Sequence, residues 1–66
     1  MFVIYFQSKV EETNTGYFYR NRKEGFTSVF KPEKAKKFQT MDKAEERLAM
    51  LTDKEGEYYY FEVQEV

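Results

Sequence analysis

One stretch of the chain has the periodicity of an amphipathic helix. Within residues 38–51, four apolar residues recur at spacings of 3, 4 and 3 and so share one side of a helix: Met41, Ala44, Leu48 and Leu51. Thr40 lies just before this stripe and is a good N-cap, and Gly56 beyond it suits a left-handed residue that stops the helix. The pattern predicts one helix whose apolar stripe packs on the core of its own domain.

Four other stretches are rich in aromatic and β-branched residues and predict strands: residues 2–7, 17–20, 26–30 and 57–66. The first is apolar on both sides of its alternation, as in a central strand. In the last, one alternating set is predicted to face the core: Tyr59, Phe61 and Val63. The opposite set, with Tyr58 and Tyr60, then faces outward.

The order of these elements predicts the fold class. Residues 21–25 form a connection of hairpin length with Gly25 at its end, and the first three strands are expected to form an antiparallel meander. Pro32 with residues 33–38 predicts a short turn of helix before the main one. We expect a single α+β domain over residues 1–66, β-β-β-α-β, with a sheet of three to four strands and one helix on one face.

The composition limits the available chemistry. The 66 residues include no Cys and no His, which leaves disulfides, zinc sites and most nucleophilic or general-base arrangements without their usual side chains. Ser8 and Ser28 lie in or beside strands, and no Gly-rich phosphate loop is present. No enzyme activity, metal or cofactor is therefore expected. No apolar run spans a membrane and no signal peptide is recognisable, which predicts a cytoplasmic protein.

The aromatic residues exceed what one small core can hold, because seven Phe and six Tyr occur in a chain of this length. We expect surplus tyrosines on the outer sheet face to bind a partner, with basic residues at the rim. The predicted anchors are Tyr17, Tyr19, Tyr58 and Tyr60, and the predicted rim contacts are Arg20, Arg22 and Lys23. The alternative, on equal terms, is that cross-strand tyrosine pairs simply stabilise an exposed sheet.

The charge pattern keeps other partners open. Residues 20–37 hold seven basic and two acidic residues, whereas residues 42–66 hold three basic and eight acidic ones. The same tyrosines with Lys34, Lys36 and Lys37 would suit single-stranded nucleic acid, although the net charge of −1 disfavours this. The acidic residues could instead meet a basic groove on a protein. A homodimer through the open sheet face is a third alternative.

A resemblance adds context. The segment FKPEKAKKFQTMDKAEERLAML, between aromatic strands and a closing strand, resembles small uncharacterised phage and prophage accessory proteins of Gram-positive bacteria. The matching residues are Ala35, Lys36, Lys37, Phe38, Thr40, Ala44 and Glu45. The resemblance implies a non-catalytic, protein-binding inhibitor of a bacterial host or defence protein, such as a CRISPR nuclease. The apolar matches and Thr40 suit packing and capping, so it implies no functional residue.

Overall fold

A computed structural model describes all 66 residues of the chain. The strands are β1 (Phe2–Ser8), β2 (Thr15–Asn21), β3 (Phe26–Val29) and β4 (Tyr59–Glu65), and the helix is α1 (Met41–Glu55). A 3₁₀ turn at Pro32–Lys34 lies between β3 and α1. The structure therefore confirms a small α+β fold in the predicted order β-β-β-α-β.

The four strands form one antiparallel sheet in the order β3-β2-β1-β4. The first three strands are the predicted meander. After α1, the last strand β4 pairs with the free edge of β1. β1 pairs with β4 along its whole length, from Phe2 opposite Glu65 to Ser8 opposite Tyr59. The central position of β1 explains why both sides of its alternation are apolar.

The core lies between α1 and one face of the sheet. Its buried residues come from β1, β2, α1, β4 and the segment just before α1, and none comes from β3: Ile4, Phe6, Phe18, Phe38, Ala44, Leu51 and Phe61. Ala44 is fully buried, because its small side chain lets the helix approach the sheet closely. Phe26 of β3 closes the open side, with ring centroids 5.2 Å from Phe6 and 5.7 Å from Phe61. These edge-to-face contacts are favourable arrangements for aromatic rings.

The connection from β3 to α1 is bound into the sheet. The Phe2 amide donates to the Phe38 carbonyl at 2.9 Å, and the Phe38 amide donates back to the Phe2 carbonyl at 2.8 Å. The Lys36 amide donates to the Phe18 carbonyl of β2 at 3.0 Å. The pairing of β1 with β2 stops at Tyr5, so residues 36–38 lie between the start of β1 and the end of β2. Here they satisfy backbone groups that would otherwise lack partners.

The main helix begins where the sequence predicts, continues past the last residue of the apolar stripe, Leu51, and ends at Glu55 just before Gly56. The Thr40 hydroxyl accepts from the Lys43 amide at 3.2 Å, which confirms the N-cap. Met41 is 42% exposed, so the prediction that it belongs to the buried stripe is wrong. Gly56 is also not left-handed: its φ is −63°, and its amide continues the helical pattern to the Thr52 carbonyl at 2.9 Å. A Cβ at Gly56 would overlap that carbonyl oxygen, which explains the glycine by space rather than by φ.

The remaining differences concern shorter elements. The predicted helical turn at residues 33–38 is a 3₁₀ turn at Pro32–Lys34, and Ala35 after it is extended. The last strand is Tyr59–Glu65, two residues later at its start than predicted. Gly25 closes the β2–β3 hairpin with φ +80°, and its carbonyl accepts from the Arg22 amide at 3.1 Å. No helix here has both the length and the apolar character needed to cross a membrane.

Candidate functional site

The sheet face away from α1 carries four tyrosines. Strand alternation separates them from the buried core residues, since Ile4, Phe6, Phe18 and Phe61 are the neighbours that face the helix. They come from three adjacent strands, β2, β1 and β4. We call this set the tyrosine face: Tyr5, Tyr17, Tyr19 and Tyr60.

The centre of the tyrosine face is a cross-strand pair. Tyr5 and Tyr17 lie directly opposite each other, with ring centroids 5.7 Å apart at an interplanar angle of 65°. Both are half-buried, because each ring covers part of the other. The row continues across the sheet, with Val29 opposite Tyr17 and Glu62 opposite Tyr5. This edge-to-face contact stabilises the pairing of β1 with β2 at the centre of the tyrosine face.

Tyr60 lies on the edge strand and belongs to a hydrogen-bonded group. Its hydroxyl donates to Glu62 Oε1 at 3.1 Å, and Gln64 Nε2 donates to Glu62 Oε2 at 3.0 Å. The Gln64 hydrogen bond, followed by that of Tyr60, lowers the pKa of the Glu62 carboxyl below its usual value. The hydrogen bond to Glu62 and the charge of this carboxylate raise the pKa of the Tyr60 hydroxyl. The group therefore places a carboxylate charge beside a neutral phenol on the tyrosine face.

Tyr19 meets Arg20 on the same side of the sheet. The guanidinium lies 4.8 Å from the centroid of the Tyr19 ring, and Arg20 Nη2 donates to the Tyr19 hydroxyl at 3.2 Å. Strict alternation would send Arg20 to the opposite face. The register of β2 against β3 shifts between Phe18 and Arg20, which lets two successive residues share one side. Arg20 is the predicted rim residue that the structure does place beside the tyrosines.

The other predicted site residues lie at the margins. Tyr58 comes just before β4, but its carbonyl accepts from the Lys9 amide at 2.8 Å, so continued alternation puts it beyond Tyr60 at the edge of the tyrosine face. Arg22 and Lys23 are at the tip of the β2–β3 hairpin. They line a cleft with Lys54 of α1, on the helix side of the sheet, away from the tyrosine face.

One exposed aromatic residue was not singled out from the sequence. Phe30 was assigned to the third strand, but β3 ends at Val29 and Phe30 is 91% exposed. It directly follows Val29, the cross-strand partner of Tyr17. Pro32 was the available signal, since proline has no amide to donate to a neighbouring strand and is confined to strand ends and edges.

No group of three or more acidic side chains is placed so that it could hold a metal ion. Comparison of the chain with protein-family models, with curated proteins and with solved structures finds no match. The resemblance to phage accessory proteins therefore stays a prediction.

Proposed function

We propose that this chain is a non-catalytic binding module that recognises a protein partner with the tyrosine face. The observation that carries the proposal is a sheet face left uncovered by α1 and occupied by tyrosines from three strands. Tyr60 is 51% exposed and Tyr19 is 40% exposed, so both rings are accessible to a partner. Tyrosine gives a large contact area with a polar tip and few rotatable bonds, and it is enriched among residues that dominate binding energy.

The charge of this surface favours a protein over a polyanion. Arg20 contributes one positive charge beside Tyr19, and Glu62 contributes one negative charge beside Tyr60. These two charges have opposite signs, so together they add no net attraction for a phosphate backbone. It fits a mixed protein surface, where each charge fixes orientation and the tyrosines supply apolar burial.

The resemblance suggests the class of partner. Phage accessory genes of this size often encode stoichiometric binders that block a host enzyme or a defence system. The proposed partner is therefore a bacterial protein that this chain inhibits by occupying its surface.

The test compares two matched double variants. Tagged chain captures protein from a nuclease-treated Gram-positive lysate, and the captured protein is then purified and titrated with the chain by calorimetry. We expect Tyr58→Ser with Tyr60→Ser to weaken binding by at least about 30-fold, as for the loss of a strong interface residue. Met41→Gln with Met50→Gln serves as the control, because these side chains are similarly exposed, at 42% and 46%, on α1.

Three outcomes decide the proposal. Loss of binding in the tyrosine variant, with an unchanged circular dichroism spectrum, supports it. Loss in the methionine variant alone moves the binding surface to α1 and overturns it. A dimer in sedimentation that dissociates on Tyr60→Ser would make a second copy of the chain the occupant of the face, and would also overturn the proposal of a foreign protein partner.

A further inference from the structure

We propose that a groove beside α1, separate from the centre of the tyrosine face, binds the phosphate backbone of single-stranded nucleic acid. Two adjoining clefts form this groove, and both are lined by Lys36 and Arg47. Lys43 lines the first cleft and Arg20 lines the second. We call these four residues the cationic groove: Arg20, Lys36, Lys43 and Arg47.

The fold brings together charges that are distant in sequence. Lys36 belongs to the segment that is hydrogen-bonded between β1 and β2, and its own amide is fixed to Phe18 at 3.0 Å. Arg20 lies at the end of β2, and Arg47 projects from the middle of α1 with its guanidinium 5.7 Å from the centroid of the Phe18 ring. Like charges held close together repel one another, so a bound anion would relieve this repulsion.

The groove is strongly positive although the whole chain is not. Lys37 also lines it, with an ammonium group that donates to the Pro32 carbonyl at 3.2 Å, and Glu46 is its one carboxylate. Five basic residues and one acidic residue give the lining a net charge of +4, against −1 for the chain. The rest of the molecule therefore carries a net charge of −5, so the positive charge is concentrated at this groove.

An aromatic ring beside the cations favours nucleic acid over an acidic protein segment. Tyr19 lines the same cleft as Arg20, Lys36 and Arg47, and it is 40% exposed. A positively charged groove that follows the backbone, next to an aromatic side chain on which a base stacks, is the usual combination in proteins that bind single strands. An acidic peptide would need the charges alone and would leave this ring without a role.

The residues of this groove differ from those that the sequence suggested for binding single-stranded nucleic acid. The sequence-based alternative joined the tyrosines to Lys34, Lys36 and Lys37, yet Lys34 does not line the groove. Lys43 and Arg47 replace it, because α1 lies against the segment that carries Lys36. Among the tyrosines, Tyr19 alone lines the groove, at the boundary between the two surfaces.

The test measures fluorescence anisotropy of a labelled twelve-nucleotide oligothymidine with the full chain. Four phosphate contacts predict a salt slope near −2.8, so affinity should fall about 50-fold between 50 and 200 mM salt. Lys36→Gln with Lys43→Gln should lower affinity about tenfold and reduce the slope by about 1.4. Tyr19→Ser should weaken binding, and Glu46→Gln should strengthen it. Lys31→Gln with Lys34→Gln is the matched control, because it removes the same charge outside the groove.

The control variants separate this proposal from the alternatives. Equal loss in both lysine pairs would mean general charge attraction and would overturn the groove. Failure to bind the oligonucleotide overturns it as well, and binding of a labelled polyglutamate peptide in its place would assign the groove to an acidic protein. Tyr58→Ser with Tyr60→Ser should leave oligonucleotide affinity unchanged, so the two proposals fail independently.

Discussion

Gly16 of β2 and Val29 of β3 approach so closely that a Cβ on Gly16 would lie 3.0 Å from the Val29 carbonyl oxygen. The same Cβ would lie 3.0 Å from Cε1 of Phe6 in the core. One of these neighbours is backbone and the other is a buried ring, so neither can move freely. The absence of a side chain at Gly16 lets the edge strand close over the core.

We expect Gly16→Ala to destabilise the fold by about 1–3 kcal/mol, because the extra methyl group overpacks this contact. Gly25 provides the contrast, since its restriction is φ +80° and a Cβ there would meet no atom closer than 3.9 Å. Asparagine tolerates positive φ and should cost under about 1 kcal/mol at Gly25 but more at Gly16. Urea unfolding of both asparagine variants measures the difference. Equal costs would show that space at Gly16 is not the constraint.

Phe38 and Phe30 allow a buried and an exposed phenylalanine to be compared. Phe38 is buried in the core cluster, and Phe38→Ala should cost about 3–5 kcal/mol. Phe30 is 91% exposed, and Phe30→Ala should stay within about 0.5 kcal/mol. Thermal unfolding of the two variants beside the parent chain tests this. A large loss from Phe30→Ala would place that ring in a contact that the fold does not show.

The N-cap of α1 predicts a smaller effect. Thr40→Ala removes the acceptor for the Lys43 amide and should reduce stability by about 1 kcal/mol. Thr40→Ser keeps a hydroxyl at the same place and should retain most of that stability. The urea concentration at the midpoint of unfolding measures the difference, provided that the dependence of the unfolding free energy on urea concentration is the same in both variants. A serine variant as unstable as the alanine one would mean that the methyl group of Thr40, rather than its oxygen, is what counts.

The Glu62 group predicts a pH dependence. Because the folded-state pKa of Glu62 is lowered, its contribution to stability is present above the unfolded-state pKa of about 4.3 and is lost as pH falls through the folded pKa. Carboxyl NMR titration should show that Gln64→Ala raises the Glu62 pKa most, and that Tyr60→Phe raises it less. An unchanged Glu62 pKa in both variants would contradict the hydrogen-bonded group.

The elements that follow a local period were predictable from the sequence. Ala44 and Leu51 repeat at helical spacing, and Tyr59 and Phe61 alternate, so their buried sides could be assigned before the fold was known. The outward position of Tyr60 follows from the same alternation.

The features that depend on distant contacts were not predictable. The hydrogen bonds of Phe38 to Phe2 join segments with no shared pattern, and they decide where Lys36 lies. The cationic groove needs Arg20 and Arg47 beside that lysine, which only the assembled sheet and helix provide. The register shift that turns Arg20 toward Tyr19 is likewise a property of the β2–β3 pair, and the sequence of one strand does not determine its register against another.

The pairing of β1 with β4 also governs the order in which the fold can assemble. Phe2 finds its partner Glu65 near the opposite end of the chain, so the most extensive strand pair closes the longest loop. The β2–β3 hairpin and α1 can form from local contacts, but the central strand stays half-paired until the last strand has been synthesised. Folding should therefore be slow for a chain of this size, and the exposed edge of β1 is the site at which a nascent chain is most open to aggregation.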